Sequence, residues 1–207
     1  MTLRVASHSP SYHSIRLLLE AKFTTLEREK IVHWLLHFRN EGVNIDDCRG
    51  RTITTGGAIE FEGSARNVFW SFIKPCLQDV IEEVAMLADT RARDLAPRDA
   101  RIALGEVREL LKAFIDKVYL RMSDVDRAMR GGGSPNSVPA FDPRDLISDL
   151  HLEIDERVDA LLRHYPIGWN RVKAYVSKNP YGVVVSLIVP FVLAVLGAAL
   201  HYMFSKI

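Results

Sequence analysis

The chain has 207 residues, of which 48% are hydrophobic and 26% are charged. One compact domain with an appendage is expected at this length, because domains usually run ~100–200 residues. The formal net charge of +1 at pH 7 provides no global field that would favour a nucleic-acid partner. The sequence shows no repeat of fixed period, which excludes a solenoid.

Apolar spacing predicts two helices in the first part of the chain. Residues 12–23 carry one apolar stripe, and a second helix is expected to begin at Thr24, which forms a capping-box pattern with Glu27. Gly42 is well placed to end this second helix. Its buried positions are expected to be Ile31, Trp34, Leu35 and Phe38.

Two histidines, His33 and His37, lie four residues apart on this predicted helix, so both rings could face one metal ion. The residues between them lack the glutamate that a zinc hydrolase places beside its first histidine. We therefore expect two histidines at the border of a buried face, and no metal or other cofactor.

The sequence changes character between Gly42 and Gly63. The stretch RTITTGGAIEFEG alternates apolar and polar residues around Gly56 and Gly57, which predicts a β-hairpin at about residues 51–62. Because a two-stranded hairpin is only marginally stable in water, it must pack on the helices or pair with another chain.

Two long helices are predicted next, as an antiparallel pair. Helical spacing runs from about Ser64 to Leu95, and Pro75 is expected to kink this helix or end its first turns. Pro97 suits the first turn of a further helix that reaches about Arg130. The inward positions of that helix are expected to be Ile102, Leu104, Val107, Leu111, Phe114, Ile115 and Val118.

A flexible linker is predicted at residues 131–143, which are rich in Gly, Pro and Ser. It would separate a soluble helical domain at 1–130 from a helical segment at 144–178 that leads to the membrane. Asp142 and Pro143 suit the start of that segment. Its apolar seam could complete the intramolecular bundle or meet a neighbouring subunit, and both alternatives stay open at this point.

Cys48 and Cys76 are the only cysteines in the chain. A reducing cytoplasm gives no reason to pair them, and a zinc site would need more ligands. We therefore expect both cysteines to be unpaired structural residues.

A C-terminal membrane-spanning helix is predicted at residues 181–204. From Gly182 to Phe204 only His201 can carry a charge, and the run is long enough, at ~1.5 Å per residue, to cross ~30 Å of hydrocarbon. The N-terminal residues lack the apolar core of a signal peptide, which favours a tail-anchored protein with the lipid bilayer as its partner.

The charges that flank the predicted span favour a cytoplasmic location for the preceding domain. Arg171, Lys173 and Lys178 precede the span, whereas Lys206 alone follows it, and positive residues remain on the cytoplasmic side. Arginine outnumbers lysine, which hints at a GC-rich bacterial genome. The predicted location is therefore a bacterial inner membrane.

Small residues in the predicted span favour close contact between helices, and a mid-span proline bends the helix. These features exceed what simple anchoring demands and predict a homo-oligomer. The residues predicted to pack or gate are Gly182, Ser186, Pro190, Ala194, Gly197 and Ala198.

Four arginines surround the junction of the two long predicted helices. They could together bind an anionic ligand or an acidic partner protein in the cytoplasm. Interleaved aspartates favour the alternative of a solvated, self-paired turn. The four candidate ligand-binding residues are Arg91, Arg93, Arg98 and Arg101.

The segment from Arg157 to His164 (RVDALLRH) resembles the loosest arginine-to-histidine spacing of the HEPN nucleases, which are built on a four-helix bundle. The resemblance implies RNA cleavage by these two residues. It departs from the family pattern at Val158, where those enzymes prefer a polar residue. The chain contains neither a nucleophile elbow nor a phosphate-binding loop, so we expect no enzyme.

Together these features predict a mainly α fold: a cytoplasmic helical bundle with a small β-hairpin and one C-terminal transmembrane helix. The favoured function is a membrane-permeabilising effector that resembles bacterial antiphage and toxin effectors in layout. In such a protein the helical domain senses a ligand or partner and the spans assemble into a channel. The alternatives are a non-enzymatic tail-anchored adaptor and a membrane-tethered HEPN-like ribonuclease.

Overall fold

The computed structural model describes residues 10–38, 40–46, 48–55, 61, 63–130, 141–166 and 168. This part of the chain is mainly helical with one small antiparallel hairpin, which confirms the predicted fold class in its coarse form. The described elements are α1 (Pro10–Leu26), a π-helical segment (Glu27–Ile31), α2 (Val32–His37), β1 (Val43–Asp46), β2 (Thr52–Thr55), α3 (Gly63–Ser71), α4 (Ile73–Ala92), α5 (Pro97–Arg130) and α6 (Arg144–Leu162).

Four helices, α1, α4, α5 and α6, form the bundle, and α5 packs against the other three. Polar contacts define the helix directions. Lys22 on α1 pairs with Glu83 on α4 at 2.7 Å, and Arg91 near the end of α4 donates to Ser14 near the start of α1, so these helices are antiparallel. The buried face of α5 extends over its whole length, from Ala100 to Met129, because its apolar residues keep a helical period.

The helix predicted to begin at Thr24 does not begin there. Instead, α1 continues through Leu26 and is followed directly by the π-helical segment and α2. The Thr24 hydroxyl donates to the backbone carbonyl of Glu20 at 3.0 Å, so it bonds within the helix and does not cap a new one. The prediction of a helix start at Thr24 was wrong, since a capping-box pattern can also occur inside a helix.

The hairpin exists, but its strands differ from the prediction at residues 51–62. β1 pairs with β2 from Val43 opposite Thr55 to Asp46 opposite Thr52, so the turn lies between Asp46 and Thr52. Cys48 and Gly50 supply the left-handed backbone conformations in this turn, with φ of 64° and 76°. Gly56 and Gly57, the predicted turn residues, lie outside the described residues.

The two long helices form an antiparallel pair joined at residues 93–96, as predicted. A break at Phe72 separates α3 from α4, and Pro75 lies in the first turn of α4, where its missing N–H costs no helical hydrogen bond. Of the predicted inward positions on α5, only Ile102 is exposed, at 54%. Ile102 follows the helical period only approximately, and its neighbour Leu104 occupies the buried position.

The apolar seam of α6 completes the intramolecular bundle. Leu150, Ile154 and Val158 are buried, and α6 packs against both α4 and α5. Their spacing of four residues places them on one face of the helix, while Leu152 lies on the opposite face and is 60% exposed. Of the two alternatives that the sequence left open, the seam therefore packs within the chain's own bundle.

We predict that Ile154→Ala lowers the free energy of unfolding by ~2–4 kcal/mol, because it opens a cavity between α6 and its neighbours. Leu152→Ala is the matched control on the exposed face and is expected to change it by less than ~0.5 kcal/mol. Urea unfolding of the purified chain, followed by far-UV circular dichroism, measures both values. Equal losses for the two variants would contradict the packing of α6.

The chain divides into two compact units, Met1–His164 and Tyr165–Ile207. All the elements defined above lie in the first unit. No helix in the described part of the chain is long and apolar enough to cross a membrane. The predicted span at 181–204 lies outside the described residues, as do its predicted packing and gating positions Gly182, Ser186, Pro190, Ala194, Gly197 and Ala198.

Candidate functional site

The four candidate arginines lie around the α4–α5 junction but make contacts in different directions. Arg91 donates to Ser14 on α1, and Arg93, which directly follows α4, pairs with Asp89 on that helix at 2.5 Å. Arg101 donates to the Leu162 carbonyl oxygen at the end of α6, at 3.0 Å. Arg98 is exposed in the first turn of α5. Three of the four guanidinium groups therefore bind parts of the same helical unit.

Arg91 is the one candidate arginine that lines a small cleft between α1, α4 and α5. Its apolar neighbours there include Ile15, Leu95 and Val107. An anion site usually gathers several donors around one point, whereas this cleft is apolar apart from a single guanidinium group that is already hydrogen-bonded. The geometry supports a structural role for Arg91.

A buried ionic cluster, which apolar spacing did not predict, joins α3 to the end of α5. Asp126 is 2% exposed and Arg66 is 7% exposed. Asp126 Oδ1 accepts from Arg66 Nε at 2.7 Å and from Trp70 Nε1 at 3.2 Å. Asp126 Oδ2 accepts from Arg66 Nη2 at 3.0 Å and from Arg130 Nε at 2.9 Å.

Both oxygens of Asp126 are thus saturated, since a carboxylate offers about four acceptor positions. A carboxylate with every position filled by an internal donor is poorly placed to take a proton from a substrate. The cluster therefore orients α3 against α5. A signal for it is present in the sequence, because Asp126 interrupts an apolar stripe formed by Met122, Val125 and Met129.

Aromatic rings extend this cluster toward the linker. Phe141, the first described residue after 131–140, stacks on Trp70 with ring centroids 4.3 Å apart. Tyr119 stacks on Trp70 at 6.3 Å. Burial raises the pKa of the Tyr119 hydroxyl, and the charge of Asp149 raises it further, so this hydroxyl stays protonated at neutral pH. The contact of Phe141 fixes the chain at the point where α6 is about to begin.

Polar contacts flank α6 on both sides. Toward α5, Lys112 pairs with Asp155 at 2.8 Å. Toward α4, Gln78 donates to Glu153 at 3.0 Å. Further contacts join Arg108 to Asp155 and Asp159, and Lys74 to Asp149. These pairs set the register of α6, although exposed ion pairs each contribute little to stability.

Cys48 and Cys76 form a disulfide, so the expectation of two unpaired cysteines was wrong. The hairpin turn places Cys48 against the first turns of α4, with the two Cα atoms 5.3 Å apart, well within the range for a disulfide. The sequence separation of 28 residues carries no information about this proximity. The bond ties the hairpin turn to α4.

His33 and His37 stack with ring centroids 4.2 Å apart, and His37 Nδ1 lies 3.2 Å from a carboxylate oxygen of Glu41. Burial lowers the pKa of His33, His37 lowers it further, and Glu41 opposes the shift. No group of three or more metal-ligating side chains suited to a metal ion occurs among the described residues. The absence of a metal site stays a prediction for the chain.

The two residues of the HEPN resemblance lie at the end of α6. Arg157 is on α6, 3.8 Å from a carboxylate oxygen of Glu82 on α4, and His164 is exposed just beyond the helix. Neither lines the cleft at Arg91 or a second narrow cleft between α1 and α5. Nuclease activity remains a hypothesis that rests on spacing alone.

Comparisons of the chain with protein-family models, with curated proteins and with solved structures give no match.

Proposed function

We propose that the chain is a single-pass membrane protein in which residues 181–204 anchor the helical unit and assemble into a pore. The observation that carries this proposal is the run from Gly182 to Phe204, which is uncharged apart from His201 and long enough to cross a bilayer. Small residues and Pro190 within the run support assembly, since small faces let helix backbones approach closely in lipid. The basic residues before the run support a cytoplasmic helical unit.

In this proposal the helical unit controls assembly through its surface. The two clefts found among the described residues are narrow and mainly apolar. In this proposal a ligand or partner therefore acts on exposed groups of the unit. An anionic ligand or a partner protein remains the proposed trigger.

The second candidate is a membrane-anchored adaptor. It is favoured by large apolar side chains that are exposed on the described helices and could contact a partner protein. The most exposed of these are Leu36, Met86, Leu120 and Leu152. An adaptor needs the segment 182–204 only for location, so the two candidates differ in what the segment must do.

The test is expression in bacteria with a voltage-sensitive dye, comparing the full chain with a truncation after Lys178. We expect depolarisation and growth arrest only with the full chain. Gly197→Leu should abolish most of the depolarisation because it fills a small helix face. Ala199→Leu is the control, since it adds three carbons against the four of Gly197→Leu and would lie two residues away, on the opposite side of a helix.

Exchange of residues 181–204 for an unrelated span of equal length separates the two candidates. Loss of depolarisation with unchanged membrane fractionation supports the pore, because only the lining has changed. If the exchanged chain still depolarises the membrane, the result contradicts a pore lined by this segment and supports the adaptor. A full chain found in the soluble fraction contradicts both.

A further inference from the structure

The Cys48–Cys76 disulfide has one exposed end and one buried end. Cys48 lies exposed in the turn between β1 and β2, whereas Cys76 on α4 is 3% exposed. Ile73, Leu77 and Val80, which share the inner side of α4 with Cys76, are also buried. The two sulfur atoms therefore differ in their access to a reagent from solvent.

We propose that this disulfide is a thiol–disulfide exchange site that takes a small thiol or dithiol reductant at the Cys48 sulfur. The thiolate of the reductant bonds to Cys48 Sγ, the bond between Cys48 and Cys76 breaks, and the electron pair leaves on Cys76 Sγ. A second thiolate of the reductant then displaces the Cys48 thiolate. The reductant departs as a disulfide, and the two cysteines take up two protons to become thiols.

The direction of attack follows from the geometry of the reaction. A thiolate approaches a disulfide sulfur in line with the bond that breaks, from the side opposite to the leaving sulfur. Approach to Cys48 is from solvent, because its partner lies toward α4. Approach to Cys76 would have to pass through the buried side of α4.

Reduction would change the contacts of the hairpin turn and leave the bundle in place. Val43 and Ile45 on β1 are buried, and this packing would hold the strand in place after reduction. The turn itself would be held by Arg49, which donates to Gln78 on α4 at 2.8 Å. Gln78 in turn donates to Glu153 on α6, so the turn is linked to α6 through α4. Loss of the disulfide leaves only non-covalent contacts, of which this exposed polar link is one, to restrain the turn.

The exchange chemistry stands whether or not residues 182–204 span a membrane. In a reducing compartment a disulfide of this kind forms only transiently, so its state would report the presence of an oxidant. Membrane fractionation tests the proposed function and thiol chemistry tests this site, so failure of one is distinguishable from failure of the other.

The first experiment locates the attacked sulfur in the unmutated chain. The full chain in detergent is treated briefly with glutathione, quenched in acid and digested, and the mixed disulfide is located by mass spectrometry. We expect glutathione on Cys48 in at least about tenfold excess over Cys76. Equal amounts, an excess on Cys76, or a bond that glutathione and dithiothreitol leave intact without denaturant would overturn the proposal.

The second experiment measures how fast trypsin cleaves the turn, after Arg49 and Arg51. Oxidised and dithiothreitol-reduced chains are digested briefly, and all samples are then reduced so that the fragments separate. We expect cleavage in the turn to be about tenfold faster after reduction, with the bundle fragments intact. The Cys48→Ser variant should be cleaved by trypsin at the fast rate, whether or not dithiothreitol is present. Cleavage rates that are equal in the two redox states would overturn the proposed loosening of the turn.

Discussion

Asp126→Ala is expected to lower the free energy of unfolding by ~3–5 kcal/mol. The substitution removes the carboxylate that pairs with the buried guanidinium group of Arg66 and that accepts from the Trp70 indole. Desolvation of an uncompensated buried charge costs far more than the loss of an exposed ion pair. Urea unfolding of the full chain in detergent, followed by far-UV circular dichroism, measures the change.

Asp124→Ala is the matched control on the same helix. Asp124 contacts Arg127 at 3.3 Å on the exposed side of α5, so its loss should cost less than ~0.5 kcal/mol. The double variant Arg66→Met with Asp126→Leu should recover part of the loss, because the two buried charges are removed together and apolar volume replaces them, whereas Arg130 and the Trp70 indole still lose their acceptor. A double variant as unstable as Asp126→Ala would show that the cluster acts through something other than the unpaired charge.

Apolar periodicity predicted most of the helices because each bundle helix buries one face. α5 and α6 are the clearest cases: buried residues recur every three or four positions, and Pro97 and Asp142 lie where those helices begin. The same reasoning failed at Thr24, where two predicted helices are one continuous helical region. A local capping pattern competes there with burial of Ile31 and Trp34, and the packing of these two side chains prevails.

The hairpin and the disulfide were harder to predict because both depend on contacts between distant residues. The Gly56–Gly57 pair is a strong local turn signal, but β1 pairs across a turn that contains Cys48 and Gly50. The free energy gained by burying Val43 and Ile45 depends on the helices that pack beneath them. Cys48 and Cys76 likewise become neighbours only once the turn lies on α4.

The candidate site shows the same division between local and long-range information. The arginine cluster was visible as a local concentration of charge, yet Arg91, Arg93 and Arg101 bind three different elements. Periodicity marks Asp126 only as a charge inside an apolar stripe. Its partner Arg66 lies sixty positions away, so no spacing rule connects the two residues.

Trp34→Ala is expected to lower the free energy of unfolding by ~3–5 kcal/mol, the range for removing a buried aromatic side chain. Trp34 is fully buried at the centre of an aromatic cluster. Its ring centroid lies 5.3 Å from that of Phe69 and 5.8 Å from that of Phe72, so α2 and α3 meet through it. Leu36→Ala, on the exposed side of α2, is the control and should cost less than ~0.5 kcal/mol.

Trp34→Phe separates the packing of the ring from the hydrogen bonding of the indole. The Trp34 Nε1–H is buried and has no hydrogen-bond partner among the described residues, so replacing it removes no bond and relieves an unsatisfied donor. The expected loss is only ~1 kcal/mol, from the smaller ring. A loss as large as that of Trp34→Ala would mean that the indole N–H bonds a group whose loss destabilises the core. Near-UV circular dichroism of the same variants would then show whether the remaining aromatic cluster keeps its packing.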